Sequence, residues 1–150
     1  MELYFVTSNK NKYLEANSII PQLKQLEINL PEIQEIDANK IIKEKLNEAM
    51  KIHKGRLVIE DTSLYLDCLN GLPGPLIKWF LETIGNKGLY QIAKKFDNYN
   101  AQAKTVLGYS DGKQIKFFVG IIDGKVATPI GEKFGWDSIF IPKGHNKRFG

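Results

Sequence analysis

A mixed α/β fold, a mixed sheet with flanking helices, is what this 150-residue chain predicts, and three observations carry the expectation. Short continuous apolar runs, Leu3-Tyr4-Phe5-Val6 and Leu57-Val58-Ile59, read as strands buried on both faces, the habit of parallel pairing under helices. Stretches of helical apolar spacing lie around them. Late in the chain, Asp111-Gly112 and Asp123-Gly124 interrupt strand-like runs, and such pairs favour the tight turns of antiparallel hairpins.

The elements follow in order. After the first strand a helix is expected from Lys10 to Ile20, closed by Pro21, with Leu14, Ala16, Ile19 and Ile20 available for packing. A second strand covers roughly Gln25 to Leu30 and ends at Pro31-Glu32. Asp37 suits the cap of a helix reaching His53, whose apolar stripe is Ala38, Ile42, Leu46, Ala49 and Met50. Lys45 is the anomaly there: four residues after Ile41 and four before Ala49, it flanks the buried stripe, and it either reaches toward a ligand or snorkels to water. The strand through Ile59 stops at Glu60-Asp61-Thr62 and leads, by Leu64-Tyr65-Leu66, into the turn-rich Asn70-Gly71-Leu72-Pro73-Gly74-Pro75. Pro75 and Gly85 frame a helix from Leu76 to Ile84, and another runs from about Lys87 to Phe96. A late antiparallel meander is expected near 102 to 110, 114 to 122 and 125 to 129, then Phe134-Gly135-Trp136-Asp137 and a short strand, Ser138 to Ile141.

Bulk composition narrows the class. The length prior gives one domain, and 43% apolar with 25% charged residues is ordinary for a globular protein. No apolar stretch is long enough to span a bilayer, and the acidic, briefly apolar N-terminus lacks the pattern of a secretory signal. The lone Cys68 excludes an intramolecular disulfide framework, and the expected address is the cytoplasm. The net charge of +4 is modest and the lysines are scattered over both termini and every expected helix, so nucleic-acid binding is permitted but not indicated.

The chemistry concentrates where apolar runs stop, because ligands of open α/β sheets bind just beyond the carboxyl ends of strands. One such end supplies Thr7, Ser8, Asn9, Lys10 and Lys12 at a helix start, suited to phosphate, although a capped helix with solvated lysines has the same string. No Gly-x-x-x-x-Gly-Lys-Ser/Thr loop occurs, which excludes a P-loop. The other end supplies Glu60 and Asp61, on opposite faces of their strand, with Glu32 as a third strand-end carboxylate. Two carboxylates about 5 Å apart repel by about 3 kcal/mol at an effective dielectric near 20, and the remedies are protonation, a basic neighbour or a metal ion. Magnesium is the natural metal, and a solvated Glu-Asp pair the plain alternative. Phe134 and Trp136 can stack on a nucleobase with Asp137 accepting from a base N–H, or they plug the core. Trp79, Phe80 and Cys68 read as core residues and His53 as a helix-terminal one.

Taken together, Phe5-Val6-Thr7-Ser8-Asn9 with Lys12, Pro31-Glu32, Glu60-Asp61-Thr62, Leu69 to Pro75, and Phe134-Gly135-Trp136-Asp137 resemble, in order and spacing, the inosine triphosphate pyrophosphatase, or Ham1-like, family. The resemblance implies a two-lobed α/β fold with a central cleft, a homodimer, and magnesium-dependent hydrolysis of inosine, deoxyinosine and xanthosine triphosphates to monophosphate and pyrophosphate. It implies that Thr7, Asn9, Lys12 and Lys45 hold phosphates, with Ser8 where the family commonly has glycine. By the same resemblance Glu32 would help bind magnesium, Asp61 would orient or activate water, and Phe134, Trp136 and Asp137 would hold the purine. The family also continues into a lysine, a Ser-His-Arg motif and a final helix beyond the position of Arg148-Phe149-Gly150, where this sequence stops. Two expectations follow from that: uncovered apolar surface with low stability, tighter oligomerisation or a rearranged terminus, and, as the alternative function, a nucleotide-binding relative with little or no hydrolysis.

Overall fold

The computed structural model describes residues 2–131 and 135–149, and it divides into two compact units, Met1–Asp61 with Val106–Val119, and Thr62–Thr105 with Gly120–Gly150. Its elements are β1 (Leu3–Val6), α1 (Lys10–Ile19), β2 (Lys24–Leu26), α2 (Ala38–Ile52), β3 (Arg56–Leu66), β4 (Pro73–Gly74), α3 (Ile77–Thr83), α4 (Gly85–Phe96), β5 (Asn100–Ser110), β6 (Ile115–Val126) and β7 (Phe140–Pro142). The strand order is β2-β1-β3-β5-β6-β7, with β4 on β3. This is the expected mixed α/β sheet. Its start is parallel, β2 and β3 both lying along β1, and its end is antiparallel, β7 running back along β6.

In the first unit the apolar run of β1 ends in two buried residues, Phe5 and Val6. Val6, Leu57, Ile59 and Val106 from the strands pack with Ala38, Ile42, Leu46 and Ala49, the stripe of α2. Asp37 caps α2 by accepting from the Asn39 N–H at 2.9 Å, satisfying a donor that the helix start leaves open. Gly108 of β5 sets the separation of strand and helix. A Cβ there would stand 2.2 Å from Ile42 Cγ2 and 2.9 Å from Leu46 Cδ1, so the α2 stripe lies directly on backbone.

In the second unit Leu64, Leu66, Ile77, Leu89, Ala93, Val126, Trp136, Ile139 and Phe140 form the core. The turn-rich segment after β3 is built on left-handed backbone at Asn70 (φ 53°), Gly71 and Gly74.

Four departures from the sequence reading have local causes. β2 is three residues long, so Glu32 stands in the connection to α2 and not at a strand end. β3 continues through Glu60, Asp61 and Thr62 to Leu66, since its second half gains β4 as an antiparallel partner at Leu64 and Tyr65. β6 is one strand across Asp123-Gly124: Gly124 pairs with Pro142, Lys125 with Ile141 and Val126 with Phe140, and no side chain would fit at Gly124, whose Cβ would lie 2.4 Å from the Ile141 carbonyl oxygen. Only Asp111-Gly112 makes a turn, in a four-residue connection where the Asp111 carboxylate accepts from the Lys113 and Gln114 N–H groups, bonds that hold its carboxyl below its ordinary range. Finally, α1 buries no residue, and Leu14, Ile19 and Ile20 stay exposed. It is held by polar anchors instead, with Tyr13 Oη and Asn17 Nδ2 both donating to the Leu23 carbonyl.

Gly108→Ala tests the close approach of strand to helix. It should cost about 1–3 kcal/mol by overpacking, read from chemical denaturation, whereas an unchanged midpoint would mean that α2 yields freely.

Candidate active site

Every expected phosphate and metal residue falls in the first unit. Thr7 leaves β1 with its N–H on the Leu26 carbonyl at 3.2 Å, and Gln25 Nε2 donates to the Thr7 carbonyl at 3.0 Å. Thr7 Oγ1 accepts from the Asn9 N–H at 3.0 Å, and Asn9, in extended backbone, caps α1 by accepting from the Lys12 N–H at 3.1 Å. This turn is therefore self-bonded through its acceptors. Its donors, namely the Thr7 hydroxyl hydrogen, the Asn9 amide and the first-turn N–H groups of Lys10 and Asn11, point the chemistry toward an anion. Ser8 is exposed and needs no left-handed backbone, so glycine is not required at that position. Gln25 was not among the residues singled out from sequence; a glutamine at the start of a short strand carries no signal that it braces a neighbouring turn.

Across from this turn stands the middle of β3. β1 pairs with β3 only as far as Phe5 opposite Val58, so Glu60 and Asp61 lie just past the carboxyl end of the parallel ladder even though their own strand continues. Lys12 Nζ lies 2.7 Å from Glu60 Oε1, with the Glu60 side chain only 12% exposed. The basic neighbour is thus the remedy found for that carboxylate. Strand alternation puts Asp61 on the other face, the one on which Ile59 meets α2. From α2, Lys45 reaches Glu32 at 3.4 Å with 19% of its side chain exposed, beside the buried stripe as its position predicts.

The described residues hold no group of three His, Cys, Asp or Glu side chains placed to bind a metal ion alone. Glu60 and Asp61 leave opposite faces of β3, so the donor set suits only a hard cation that takes one or two carboxylates and fills its shell with phosphate oxygens and water, as magnesium does.

The purine candidates fall in the second unit. Phe134 lies outside the described residues. Trp136 is 6% exposed, its ring edge-on to Phe140 at 5.4 Å and stacked with Phe149 at 5.8 Å, so its aromatic faces serve the core. Asp137 opens a single helical turn, Asp137–Ile139, that leads into β7. Phe149 is fastened by its N–H to the Phe140 carbonyl, and the Arg148 guanidinium donates twice to the Thr128 carbonyl. Of the residues expected in the core, Phe80 packs there, but Trp79 is 48% exposed. Burial pushes the half-buried Cys68 thiol up. His53 ends α2 and meets the Tyr4 ring edge-on at 4.6 Å.

The Ham1 family profile matches residues 3–150. The chain is 42% identical to the inosine triphosphate pyrophosphatase of Schizosaccharomyces pombe, a match covering 98% of this chain and 81% of that protein. It is 39% identical to the one from Saccharomyces cerevisiae, over 94% and 79%. Among solved structures, a nucleoside-triphosphatase described as a dITP/XTP pyrophosphatase from Mycobacterium abscessus superposes with a TM-score of 0.77 at 20% identity, covering 99% of this chain and 87% of that one. A Staphylococcus aureus Ham1 protein gives 0.72 at 22% identity, over 99% and 84%. These two likenesses concern the fold.

A double-mutant cycle on Lys12→Met and Glu60→Gln checks the pair. Intermediate burial should give a coupling of about 1–3 kcal/mol in urea unfolding, and additive effects would show that the two charges do not meet in solution.

Proposed function

This chain belongs to the Ham1 family, and on that footing we propose that it is a nucleoside triphosphate pyrophosphatase converting inosine, deoxyinosine and xanthosine triphosphates to monophosphate and pyrophosphate. The observation that carries the reading is the meeting of the α1 cation with the β3 carboxylates, Lys12 on Glu60 beside Asp61, at the end of the parallel ladder. A triphosphate needs amines and amide donors for its oxygens, a carboxylate for the attacking water, and a cation for the charge that remains.

Thr7, Asn9 and Lys12 bind the phosphate chain from the α1 turn, and Lys45 binds it from α2. Glu32, Glu60 and Asp61 would hold magnesium, which when bound supplies charge neutralisation at the α and β phosphates. Asp61 orients a water for in-line attack on the α-phosphorus and accepts its proton, while Lys12 and Lys45 stabilise the departing pyrophosphate. In the free protein each lysine lies on a carboxylate, Lys12 on Glu60 and Lys45 on Glu32. On binding, the lysines would move to phosphate oxygens, leaving the carboxylates available to hold magnesium. The purine is assigned to Phe134, the backbone around Trp136, and Asp137.

The same proposal includes a cytoplasmic homodimer. Exposed apolar side chains on β6, Phe118 at 57%, Val119 at 51% and Ile121 at 53%, offer surface that such an assembly would cover. Among the described residues no helix is long and apolar enough to cross a membrane.

Pyrophosphate release from inosine, xanthosine, adenosine and guanosine triphosphates with magnesium tests the assignment. Inosine and xanthosine nucleotides should be preferred, and Asp61→Asn should lower kcat by about 10²–10⁴-fold with KM nearly unchanged and the melt intact. Saturable inosine triphosphate binding without any release would favour the alternative of a nucleotide-binding relative that does not hydrolyse.

A further inference from the structure

A half-buried polar residue lies in register with the buried stripe of α4. Leu89 and Ala93 are the buried residues of that helix, and Asn86 lies three and seven positions before them, on the same face by helical spacing. Its Nδ2 donates to the Gly135 carbonyl at 2.9 Å and lies 3.4 Å from Ser138 Oγ, whose residue is 2% exposed. Its Oδ1 is buried with no partner among the described residues. The amide therefore has one orientation: turned over, it would set its oxygen against the Gly135 carbonyl. An apolar side chain would serve the core better, so the donor is there for the turn it holds.

We propose that Asn86 is a positioning residue that fixes the Gly135–Trp136–Asp137 turn and, through it, the preference for a purine carrying oxygen at C6. The reading rests on the pyrophosphatase assignment above and adds how a 6-oxopurine is favoured over adenine. Gly135 has φ +58°, a conformation open to neighbouring glycine geometries unless something pins it. Two things do. The Trp136 ring is locked between Phe140 and Phe149, and Asn86 holds the carbonyl of the peptide that joins Gly135 to Trp136. In a planar trans peptide the carbonyl and the following N–H point in opposite directions. Binding the Gly135 oxygen from α4 thus directs the Trp136 N–H away from α4, and no backbone carbonyl of the described residues is seen to accept from it. A fixed N–H donor suits a carbonyl at C6 and opposes an amino group there, the difference between inosine or xanthosine and adenosine. The Asp137 carboxylate begins one peptide later on the same fixed turn.

Asn86→Asp is isosteric but brings an acceptor to the Gly135 carbonyl, and Asn86→His restores an N–H at nearly the same position. Turnover of inosine and adenosine triphosphates by wild type and both variants, with thermal melts, makes the test. Asn86→Asp should raise KM for inosine triphosphate about tenfold or more, leave kcat within about threefold, and compress the inosine-to-adenosine ratio of kcat/KM by about tenfold. Asn86→His should recover most of both. Loss of folded protein lowers the apparent kcat but moves neither KM nor the ratio, so a melt shift with both unchanged overturns the proposal. Should Asn86→Asp not fold, Asn86→Ser with the same two readouts decides: an unchanged ratio overturns the proposal, a compressed one supports it. A wild type that neither hydrolyses nor binds inosine triphosphate overturns the pyrophosphatase assignment and this inference together, whereas an active wild type with unaltered variants overturns this inference alone.

Discussion

The first unit is organised around a problem of charge. Glu60 and Asp61 are adjacent on a strand whose preceding residues, Leu57, Val58 and Ile59, are all buried, so solvent alone cannot absorb their repulsion. Glu60 finds the Lys12 ammonium, and that contact fixes much else. It requires α1 to start where β1 stops, which the Asn9 cap and the Thr7 hydroxyl arrange, and it requires β1 to end before β3 reaches its carboxylates. Polar contacts hold α1 in place, since none of its residues is fully buried. A helix seated by its lysine and its hydrogen bonds can give up the lysine to a phosphate without losing an apolar interface.

The second lysine follows the same logic with different anchoring. Lys45 belongs to a helix whose apolar stripe is clamped on backbone at Gly108, so its position is set by packing, and only its ammonium is free to change partner from Glu32. Lys12 and Lys45 therefore present two cations to the same class of ligand from one polar-seated helix and one apolar-seated helix. Among the described residues the carboxylates they would leave behind form no group able to hold a cation alone, so in the proposed reaction the substrate would have to complete the shell.

Much of this was legible in the sequence, wherever the determining interaction is local. The apolar run into Thr7-Ser8-Asn9 and the cap at Asp37 are short-range patterns, and the structure has both. The odd placement of Lys45 followed from helical period alone. What was hidden depends on distant partners. Asp123-Gly124 has the composition of a turn, yet β7 arrives alongside and the glycine serves close strand contact. Glu60-Asp61-Thr62 looked like a strand end, but Pro73 and Gly74 return to extend the ladder. The apolar residues of α1 and Trp79 looked like core and are exposed, because apolar character does not say which face finds a partner. Asn86 carried a faint signal, a polar residue in register with Leu89 and Ala93, that becomes readable only when Gly135 is seen opposite it.

In the proposed site the Lys12–Glu60 and Lys45–Glu32 pairs offset charge in the free protein and would be exchanged for a metal–triphosphate complex. Calorimetric titration of magnesium into the protein, with and without a non-hydrolysable α,β-imido inosine triphosphate, tests this most directly. Negligible magnesium binding to the protein alone, weak nucleotide binding with chelator present, and tight binding only when both are supplied are the expected results. Tight magnesium binding to the free protein, or equal nucleotide affinity with and without the metal, would contradict the exchange.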